Sequence, residues 1–261
     1  MGSAPSRSFD RAASYYDATR GLPAAAAAEM TALLAAELTG RGACLEIGVG
    51  TGRIALGLHR AGVPMTGVDL SRPMMAVLVE KAGGRAQFPL VQADATALPF
   101  PARRFGSAVA SHVFHLIPAW DRALAELVRV LAPRGRVLVD RGGRNHGSLP
   151  RAVRARFRAE LGESGGHPGV DHASNDLDEA LRGLGARARP LAPVRTSWTT
   201  TLAAMIDGLE AGHWSWTWSL PPEALRRAAT RTRAWALDTH GSLDSPVVVD
   251  AEVRWVAYDL P

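Results

Sequence analysis

The chain has 261 residues, of which 47% are apolar and 21% are charged, and its formal net charge at pH 7 is +5. These proportions are ordinary for a globular protein and exclude a disordered chain. The single cysteine, Cys44, excludes an intrachain disulfide and a cysteine-cluster zinc site, and we expect it to be a small buried apolar residue.

The N-terminal residues lack the apolar core of a secretory signal, and the alanine-rich stretch over residues 22–38 contains Glu29 and Glu37. This stretch is too short and too interrupted to span a bilayer. We therefore expect a cytoplasmic protein with no membrane partner.

The positive charge is carried almost entirely by arginine, because Lys81 is the only lysine. Arginines gather at residues 151–158 and 226–233. Such clusters raise the possibility of a nucleic-acid partner. Both segments have helical patterns with a charged outer face, so we consider a nucleic acid an unfavoured partner.

Apolar runs alternate with amphipathic segments from residue 43 to about residue 145, after two helical stretches at 9–20 and 23–39. Ser71 and Pro73 are typical of a helix start, and Gly83 and Gly84 of its end. This alternation predicts a parallel, doubly wound α/β sheet. The predicted strands are 43–49, 64–70, 88–94, 105–114 and 135–142, and the helices between them are 52–62, 71–84 and 119–133.

The alternation ends near residue 145. A basic helix at 149–161, a loop and a helix at 176–185 lead to a strand at 186–198, a helical insert at 212–237 and a last strand at 247–258. We predict a single domain, 1–261, with a helical lid. Its core would comprise about 40–145, 173–196 and 241–261, and the lid 1–39, 145–172 and 197–240.

The sequence "CLEIGVGTGR", residues 44–53, places glycines at 48, 50 and 52 directly after the first predicted strand. A phosphate-binding P-loop would need a Gly-Lys-Ser/Thr sequence, which is absent. A dinucleotide fingerprint would need a third glycine where Arg53 stands. The loop therefore favours a nucleoside ligand without a pyrophosphate and argues against a dehydrogenase.

Three carboxylates come at or near the ends of the first three strands: Glu46, Asp69 and Asp94. Asp69 lies about twenty residues beyond Gly50, a separation that suits a carboxylate binding a ribose diol. Asp69 and Asp94 could instead cap the elements that follow them, and Glu46 could be structural.

Five segments in this order resemble the class I S-adenosylmethionine-dependent methyltransferases: "LEIGVGTGR", "GVDLS", "VQADATALPF", "SAVASHVFHLIP" and "LVRVLAPRGRVLV". The nearest resemblance is to small-molecule enzymes of the ubiquinone/menaquinone-biosynthesis type, and it extends over about residues 9–140. It implies a Rossmann-like, seven-stranded, mostly parallel sheet with an antiparallel last strand, and S-adenosylmethionine as cofactor.

The resemblance also implies a cofactor site. Asp69 would hold the ribose hydroxyls, Asp94 and the Ala95 amide would bind the adenine edge, and Ser111 would approach the methionyl ammonium. Met74 would pack near the adenine, although a methionine at helical spacing could equally belong to the core. The full set of expected cofactor-binding residues is Tyr16, Arg20, Glu46, Gly48, Gly50, Thr51, Gly52, Asp69, Leu70, Met74, Asp94, Ala95, Ser111 and His112.

His112 and His115 are the titratable pair nearest the expected reacting end, and we expect His115 to be the catalytic base. Either histidine could instead be structural, and methyl transfer needs a base only when the acceptor arrives protonated. Trp214, Trp216 and Trp218 could cover an apolar substrate or anchor the lid. We expect no metal.

The acceptor is the least determined feature of the sequence. No Asp/Asn-Pro-Pro-aromatic segment or Pro-Cys nucleophile of base-modifying methyltransferases is present. We expect methyl transfer to a small organic acceptor, through oxygen, nitrogen or carbon. The alternatives are an enzyme acting on RNA or another polyanion, and a protein that binds S-adenosylmethionine without turnover.

Overall fold

The computed structural model describes residues 6–145, 148–162, 169–170 and 174–261. Parts of the predicted lid, at residues 1–5, 146–147, 163–168 and 171–172, lie outside this range. The helices are α1 (Tyr16–Arg20), α2 (Ala24–Leu38), α3 (Ala55–Arg60), α4 (Arg72–Lys81), α5 (Trp120–Val130), α6 (Ser148–Glu160), α7 (Asp176–Gly183), α8 (Leu202–Glu210) and α9 (Pro222–His240). The strands are β1 (Cys44–Ile47), β2 (Met65–Asp69), β3 (Leu90–Gln92), β4 (Phe105–Ala110), β5 (Leu131–Asn145), β6 (Arg187–Pro190), β7 (Val194–Thr200) and β8 (Val247–Asp259).

Within the described residues, the strands form an eight-stranded sheet in the order β3-β2-β1-β4-β5-β8-β6, and β7 also pairs with β8. β1, β2, β3, β4 and β5 run parallel, and β6 is antiparallel to β8. The order reverses between β1 and β4, which is where an open α/β sheet has its binding crevice. The predicted α/β class, parallel core and antiparallel last strand are confirmed.

The predicted count of seven strands is wrong, because the segment expected to form one strand at 186–198 forms β6 and β7. Leu191 still donates its amide to the Trp255 carbonyl of β8, at 2.9 Å. Pro193 has no amide hydrogen to continue the ladder. The chain therefore leaves the pairing at 191–193 before β7 begins.

The chain divides into two compact units. The first contains Met1–Gly142, Pro168–Val194 and Val253–Pro261, and its core covers both faces of the sheet. Side chains of β1 alternate: Leu45 and Ile47 pack on the face with α5 and α7, whereas Cys44 packs with α2, α3 and α4. Cys44 is fully buried, as expected.

Two helices of the first unit are shorter than predicted. The segment 9–20 forms a 3₁₀ turn, Asp10–Ala12, and then α1. The helix expected from residue 52 begins at Ala55, because Gly52 has a φ of +74°, outside helical backbone. The start of α4 is as predicted: Ser71 is its N-cap and accepts a hydrogen bond from the Met74 amide at 3.2 Å.

The second unit contains Gly143–His167 and Arg195–Glu252. Its helices α6, α8 and α9 pack around a core that includes Phe157, Ile206 and Trp216. The Arg158 guanidinium lies 4.6 Å from the centroid of the Trp216 ring. Trp216 is only 4% exposed, so in this unit it is a core residue. The predicted N-terminal part of the lid, 1–39, belongs to the first unit, and the single-domain organisation stays a prediction.

Candidate active site

A cleft opens at the carboxyl ends of β1, β2 and β4, within the first unit. This is the reversal point of the strand order. The predicted site residues that line the cleft are Tyr16, Gly48, Gly50, Asp69, Leu70, Met74, Asp94, Ala95, Ser111 and His112, and the others are Ser6, Arg7, Phe9, Val68, Ala93, Val113, Leu116 and Ile117.

Gly48 and Gly50 form one wall of the cleft in conformations that glycine tolerates best. Their φ values are +68° and +52°. A Cβ on Gly48 would lie 2.8 Å from Val113 Cγ2, and one on Gly50 would lie 3.3 Å from Met74 Cε. Side chains at these positions would therefore narrow the cleft as well as strain the backbone.

Gly52 does not line the cleft. It also has a left-handed φ, of +74°, and a Cβ there would lie 2.7 Å from Leu78 Cγ and 2.9 Å from Leu56 Cγ. Its position next to these core side chains indicates a packing role, in which the loop approaches α3 and α4 closely.

Asp69 is the last residue of β2, and its carboxylate is hydrogen-bonded to the glycine loop. Its Oδ2 accepts a hydrogen bond from the Gly50 amide and its Oδ1 accepts one from the Ser71 amide, both at 2.7 Å. Burial raises the pKa of this carboxyl, against the amide hydrogen bonds that lower it. Each oxygen keeps further lone-pair capacity, so Asp69 can organise the loop and still accept hydroxyl groups.

Asp94 also combines a capping contact with a place in the cleft. Its Oδ1 accepts a hydrogen bond from the Thr96 amide at 2.9 Å. Ala95, Leu70 and Met74 provide apolar surface beside it. The capping alternative raised from the sequence therefore holds for this contact, and the cleft position allows a second function.

The N-terminal segment closes part of the cleft. Phe9 packs edge-on against Tyr16, with ring centroids 5.9 Å apart, and burial raises the pKa of the Tyr16 hydroxyl. The Arg7 amide donates to the Leu116 carbonyl at 3.0 Å, which ties this segment to the residues after β4. No contact with the cleft was predicted for residues 6–9, of which only Phe9 was assigned to an element, the helical stretch at 9–20.

Arg20 does not line the cleft, but its backbone carbonyl accepts a hydrogen bond from Arg53 Nη1 at 3.3 Å. Arg53 Nη2 also contacts Ser111 Oγ, at 3.2 Å. Arg53 was used in the sequence argument only as a departure from the dinucleotide fingerprint. The structure shows that it connects α1 with the end of β4.

Thr51 is buried and binds α1 instead of lining the cleft. Its Oγ1 donates to Asp17 Oδ1 at 2.6 Å, and Lys81 Nζ contacts both Asp17 Oδ2 at 2.7 Å and the Thr51 carbonyl at 2.9 Å. These contacts join α1, the glycine loop and the end of α4. Asp17 and Lys81 were missed from the sequence, where the only signal was that Lys81 is the sole lysine.

Glu46 lies beneath the loop and outside the cleft lining. It is 2% exposed, it accepts a hydrogen bond from the Ala55 amide, and its Oε2 has no hydrogen-bond partner among the described residues. Burial raises the pKa of this carboxyl well above its ordinary value of 4.5, although Arg53 opposes the shift. The structural alternative for Glu46 agrees with this position.

A polar network occupies the ends of β4 and β5. Asp140 accepts hydrogen bonds from Ser111 Oγ at 2.8 Å and from the Gly142 amide at 2.7 Å, and His112 Nε2 lies 3.2 Å from its Oδ2. Burial alone would raise the pKa of Asp140, but His112, Arg53 and these hydrogen bonds lower it overall. Asp140 was not among the predicted site residues.

His115, the predicted base, does not line the cleft. It lies in a 3₁₀ turn, Phe114–Leu116, and is 7% exposed, and its carbonyl accepts a hydrogen bond from the Gly169 amide at 3.0 Å. The His112 and His115 rings are 6.4 Å apart at 86°. A catalytic function of His115 stays a prediction that its position does not favour.

The described part of the chain contains no group of three or more His, Cys, Asp or Glu residues placed to hold a metal ion. None of its helices is long and apolar enough to cross a membrane.

Comparison with known proteins identifies the domain that contains the cleft. A family model described as a methyltransferase domain matches residues 45–139. The chain is 41% identical over 98 residues to the demethylmenaquinone methyltransferase of Thermus thermophilus, a match covering 36% of this chain and 44% of the relative. Residues 45–139 are therefore similar to a methyltransferase domain. The resemblance stated from the sequence is thereby confirmed.

A second relative of this methyltransferase domain is the ubiquinone/menaquinone biosynthesis C-methyltransferase UbiE of Methylobacterium nodulans. It is 39% identical over 99 residues, which cover 36% of this chain and 39% of the relative. The chain thus matches less than half the length of each of these two relatives. The family model, which matches residues 45–139, contains the glycine loop and the strands β2, β3 and β4.

Solved structures extend the likeness in fold. The YcgJ protein of Bacillus subtilis has a TM-score of 0.59 at 17% identity, covering 89% of this chain and 98% of its own. The [4+2]-cyclase SpnF has a TM-score of 0.56 at 20% identity, covering 100% of this chain and 99% of its own. At these identities the likeness shows the fold alone.

Proposed function

We propose that this chain binds S-adenosylmethionine in the cleft of its first unit and transfers the methyl group to a small organic acceptor. The observation that carries the proposal is the 2.7 Å hydrogen bond from the Gly50 amide to Asp69, formed where the strand order reverses. It brings an open backbone loop and a half-buried carboxylate to the same wall of one cleft. A nucleoside with a ribose diol matches both groups.

The residues of the cleft fit this cofactor. Gly48 and Gly50 leave open the space that a Cβ would fill beside Val113 and Met74. Asp69 would accept the ribose hydroxyls through its remaining lone pairs. The other cofactor contacts we propose are Leu70 and Met74 on the adenine ring, Asp94 and Ala95 on its edge, and Tyr16 and Ser111 toward the methionyl end.

When bound, S-adenosylmethionine supplies an electrophilic methyl group on a sulfonium. The work left to the chain is alignment and the exclusion of water. Holding an acceptor in line with the methyl carbon can supply about 7 to 11 kcal/mol of the barrier. Thr51 and Lys81 support this arrangement indirectly, because through Asp17 they hold α1 and its Tyr16 beside the cleft.

The small acceptor is supported by the names of the relatives. They include a demethylmenaquinone methyltransferase and a malonyl-[acyl-carrier protein] O-methyltransferase, the latter 33% identical over 129 residues. The arginine-rich helices of the second unit are the only feature that favours a polyanion. Binding without methyl transfer is the other alternative, since a [4+2]-cyclase shares the fold.

Calorimetric titration tests the cofactor. We expect S-adenosylmethionine and S-adenosylhomocysteine to bind with micromolar affinity and NAD not to bind. Asp69→Asn, which preserves the side-chain size, should weaken adenosyl binding by roughly tenfold to a hundredfold, as expected for about 1.5–3 kcal/mol from hydrogen bonds to a charged group. The control is Asp250→Asn, at an exposed aspartate of the second unit. Binding of NAD alone would contradict the proposal.

A second assay separates the three functions. The protein is incubated with S-adenosylmethionine and, separately, with quinols, phenols, carboxylic acids, amines and bulk RNA, and methylated products are identified by mass spectrometry. Methylation of a small compound supports the proposal. Methylation of RNA alone, with binding that falls steeply with salt, would establish the polyanion alternative, and tight cofactor binding without any product would favour a non-transferring protein.

A further inference from the structure

We propose that His112 is the group that takes a proton from the methyl acceptor, with Asp140 and Ser111 as its positioning residues. This inference rests on the proposed methyltransferase function and adds to it the chemical class of the acceptor. It assigns the proton transfer to the histidine in the cleft and not to the buried His115.

The backbone at the end of β4 places His112 for this function. In the parallel register of β4 and β5, Ala110 is opposite Val139, so Ser111 and His112 follow β4 beside Asp140. His112 has a φ of +51°, in the left-handed region that few non-glycine residues occupy. A residue held in this conformation at a cleft is a candidate for function. Its imidazole lines the cleft and is 30% exposed.

Asp140 is a buried carboxylate whose contacts orient the imidazole. Its side chain is 1% exposed and accepts hydrogen bonds from Ser111 Oγ at 2.8 Å and the Gly142 amide at 2.7 Å, and His112 Nε2 lies 3.2 Å from its Oδ2. A carboxylate in such a position needs donors to stay ionised, and these contacts provide them. At 3.2 Å, Nε2 is within hydrogen-bonding distance of this carboxylate, and we infer that its hydrogen is directed at Asp140, an arrangement in which the basic lone pair would be on Nδ1.

The charged neighbours of the pair agree with this arrangement. Arg53 Nη2 contacts Ser111 Oγ at 3.2 Å and so lies on the Asp140 side of the network. His115 approaches the imidazole from the following turn, at 6.4 Å between ring centroids. Asp140, whose Oδ2 lies 3.2 Å from His112 Nε2, would stabilise the imidazolium formed after proton transfer.

The proposed step balances as follows. The bond between the acceptor atom and its hydrogen breaks, and its electron pair forms the new bond to the methyl carbon. The bond between that carbon and sulfur breaks, and its pair returns to sulfur, which becomes neutral. The proton goes to Nδ1 of His112, so the positive charge moves to an imidazolium beside Asp140, and the proton later passes to water. The acceptor is accordingly a compound with a weakly acidic O–H or C–H group, such as a phenol or an enolisable carbonyl compound.

Nuclear magnetic resonance tests the positioning without an acceptor. In protein with ¹⁵N-labelled histidine, long-range ¹H–¹⁵N spectra report which imidazole nitrogen is protonated, and the His112 signals are those lost in His112→Gln. We expect the Nε2–H tautomer in the wild type, and a mixture of tautomers in Asp140→Asn. An Nδ1–H tautomer in the wild type, or an unchanged tautomer in Asp140→Asn, would overturn the assignment.

Kinetics and binding then test the proton transfer, with a phenol and a β-dicarbonyl compound as probes. His112→Gln should lower turnover of the accepted probe by about 10²- to 10⁴-fold, and the affinity for S-adenosylmethionine, from calorimetry, should change by less than about threefold. His240→Asn, at an exposed histidine of the second unit, is the control. Full turnover in His112→Gln would refute the inference and leave the methyltransferase function intact.

Two other outcomes distinguish the proposals. Loss of S-adenosylmethionine binding in His112→Gln would show that His112 binds the cofactor, which overturns its assignment as a base. Absence of S-adenosylmethionine binding in the wild type would instead refute the proposed function itself. Circular dichroism of each variant confirms that it is folded before either conclusion is drawn.

Discussion

Alanine substitutions in the glycine loop offer the sharpest test. The glycines have different neighbours, so the substitutions should affect stability and cofactor affinity differently. A Cβ on Gly52 would lie 2.7 Å from Leu78 Cγ and 2.9 Å from Leu56 Cγ, which are core atoms. The left-handed φ of Gly52 costs an alanine about 1–2 kcal/mol, and overpacking of the core adds about 1–3 kcal/mol. Gly52→Ala should therefore lower the free energy of unfolding by about 2–5 kcal/mol, a large part of the stability of a typical domain.

Gly50→Ala is the matched comparison. It has the same kind of backbone strain, but its Cβ would meet Met74 Cε, the flexible end of a side chain, at 3.3 Å. We expect it to lose only about 1–2 kcal/mol of stability and most of its affinity for S-adenosylmethionine. Urea unfolding followed by circular dichroism measures the first quantity, and calorimetry measures the second.

A double variant tests the cause of the Gly52→Ala effect. Leu78→Ala alone should destabilise the protein by leaving a cavity. In Gly52→Ala/Leu78→Ala the added methyl enters that space. The free energy of unfolding lost in the double variant should therefore be smaller than the sum of the two single losses, by at least about 1 kcal/mol. Equal stability of Gly52→Ala and Gly50→Ala would refute the packing function of Gly52. Wild-type cofactor affinity in Gly50→Ala would refute a close approach of the loop to the ligand.

Three further variants test other contacts. Glu46→Gln should reduce a pH dependence of stability. Burial raises the pKa of Glu46 in the folded state, so wild-type stability falls as pH rises above the ordinary carboxyl value. Urea unfolding of the variant should show a smaller fall, the remainder coming from Asp69, whose pKa is also raised. Lys81→Met removes the partly exposed ion pair with Asp17, and should cost about 0.2–1 kcal/mol in thermal unfolding and reduce calorimetric cofactor affinity. Arg158→Met removes the guanidinium stacked on Trp216, and should cost about 0.5–1 kcal/mol in thermal unfolding.

Each of these variants has its own control. Lys81→Arg keeps the charge and should retain most of the affinity lost in Lys81→Met. Arg151→Met, at an exposed position of the same helix as Arg158, should leave the melting temperature unchanged. A wild-type protein whose stability rises through the same pH range in which we expect a fall would show that Glu46 does not dominate this dependence.

The parallel core could be predicted from the sequence because β1, β2 and β4 are short apolar runs, each followed by a segment with helical periodicity. The break at 191–193 could not, since the segment is strand-like on both sides of Pro193 and only the pairing with β8 shows where the ladder stops. The late start of α3 depends on the left-handed backbone of Gly52, which the spacing of the glycines does not specify.

The candidate site likewise has a part that could be predicted from the sequence and a part that could not. Gly48, Gly50, Asp69 and Asp94 come at the ends of parallel strands, and those ends meet at one edge of a sheet, so their neighbourhood follows from the strand prediction alone. Asp140 becomes part of the site only through the register that sets the end of β5 beside the end of β4. A register of this kind cannot be obtained from either strand by itself.

The choice between His112 and His115 shows most directly where sequence reasoning ends. Residues three apart share a face in a helix and take opposite faces in a strand, so the order "SHVFHL" permits either histidine to face the ligand. The backbone at the two histidines is neither α-helix nor strand. β4 has ended, His112 has a positive φ, and a 3₁₀ turn follows. That bend turns His112 toward Asp140 and the cleft, and His115 into the protein, where it is 7% exposed.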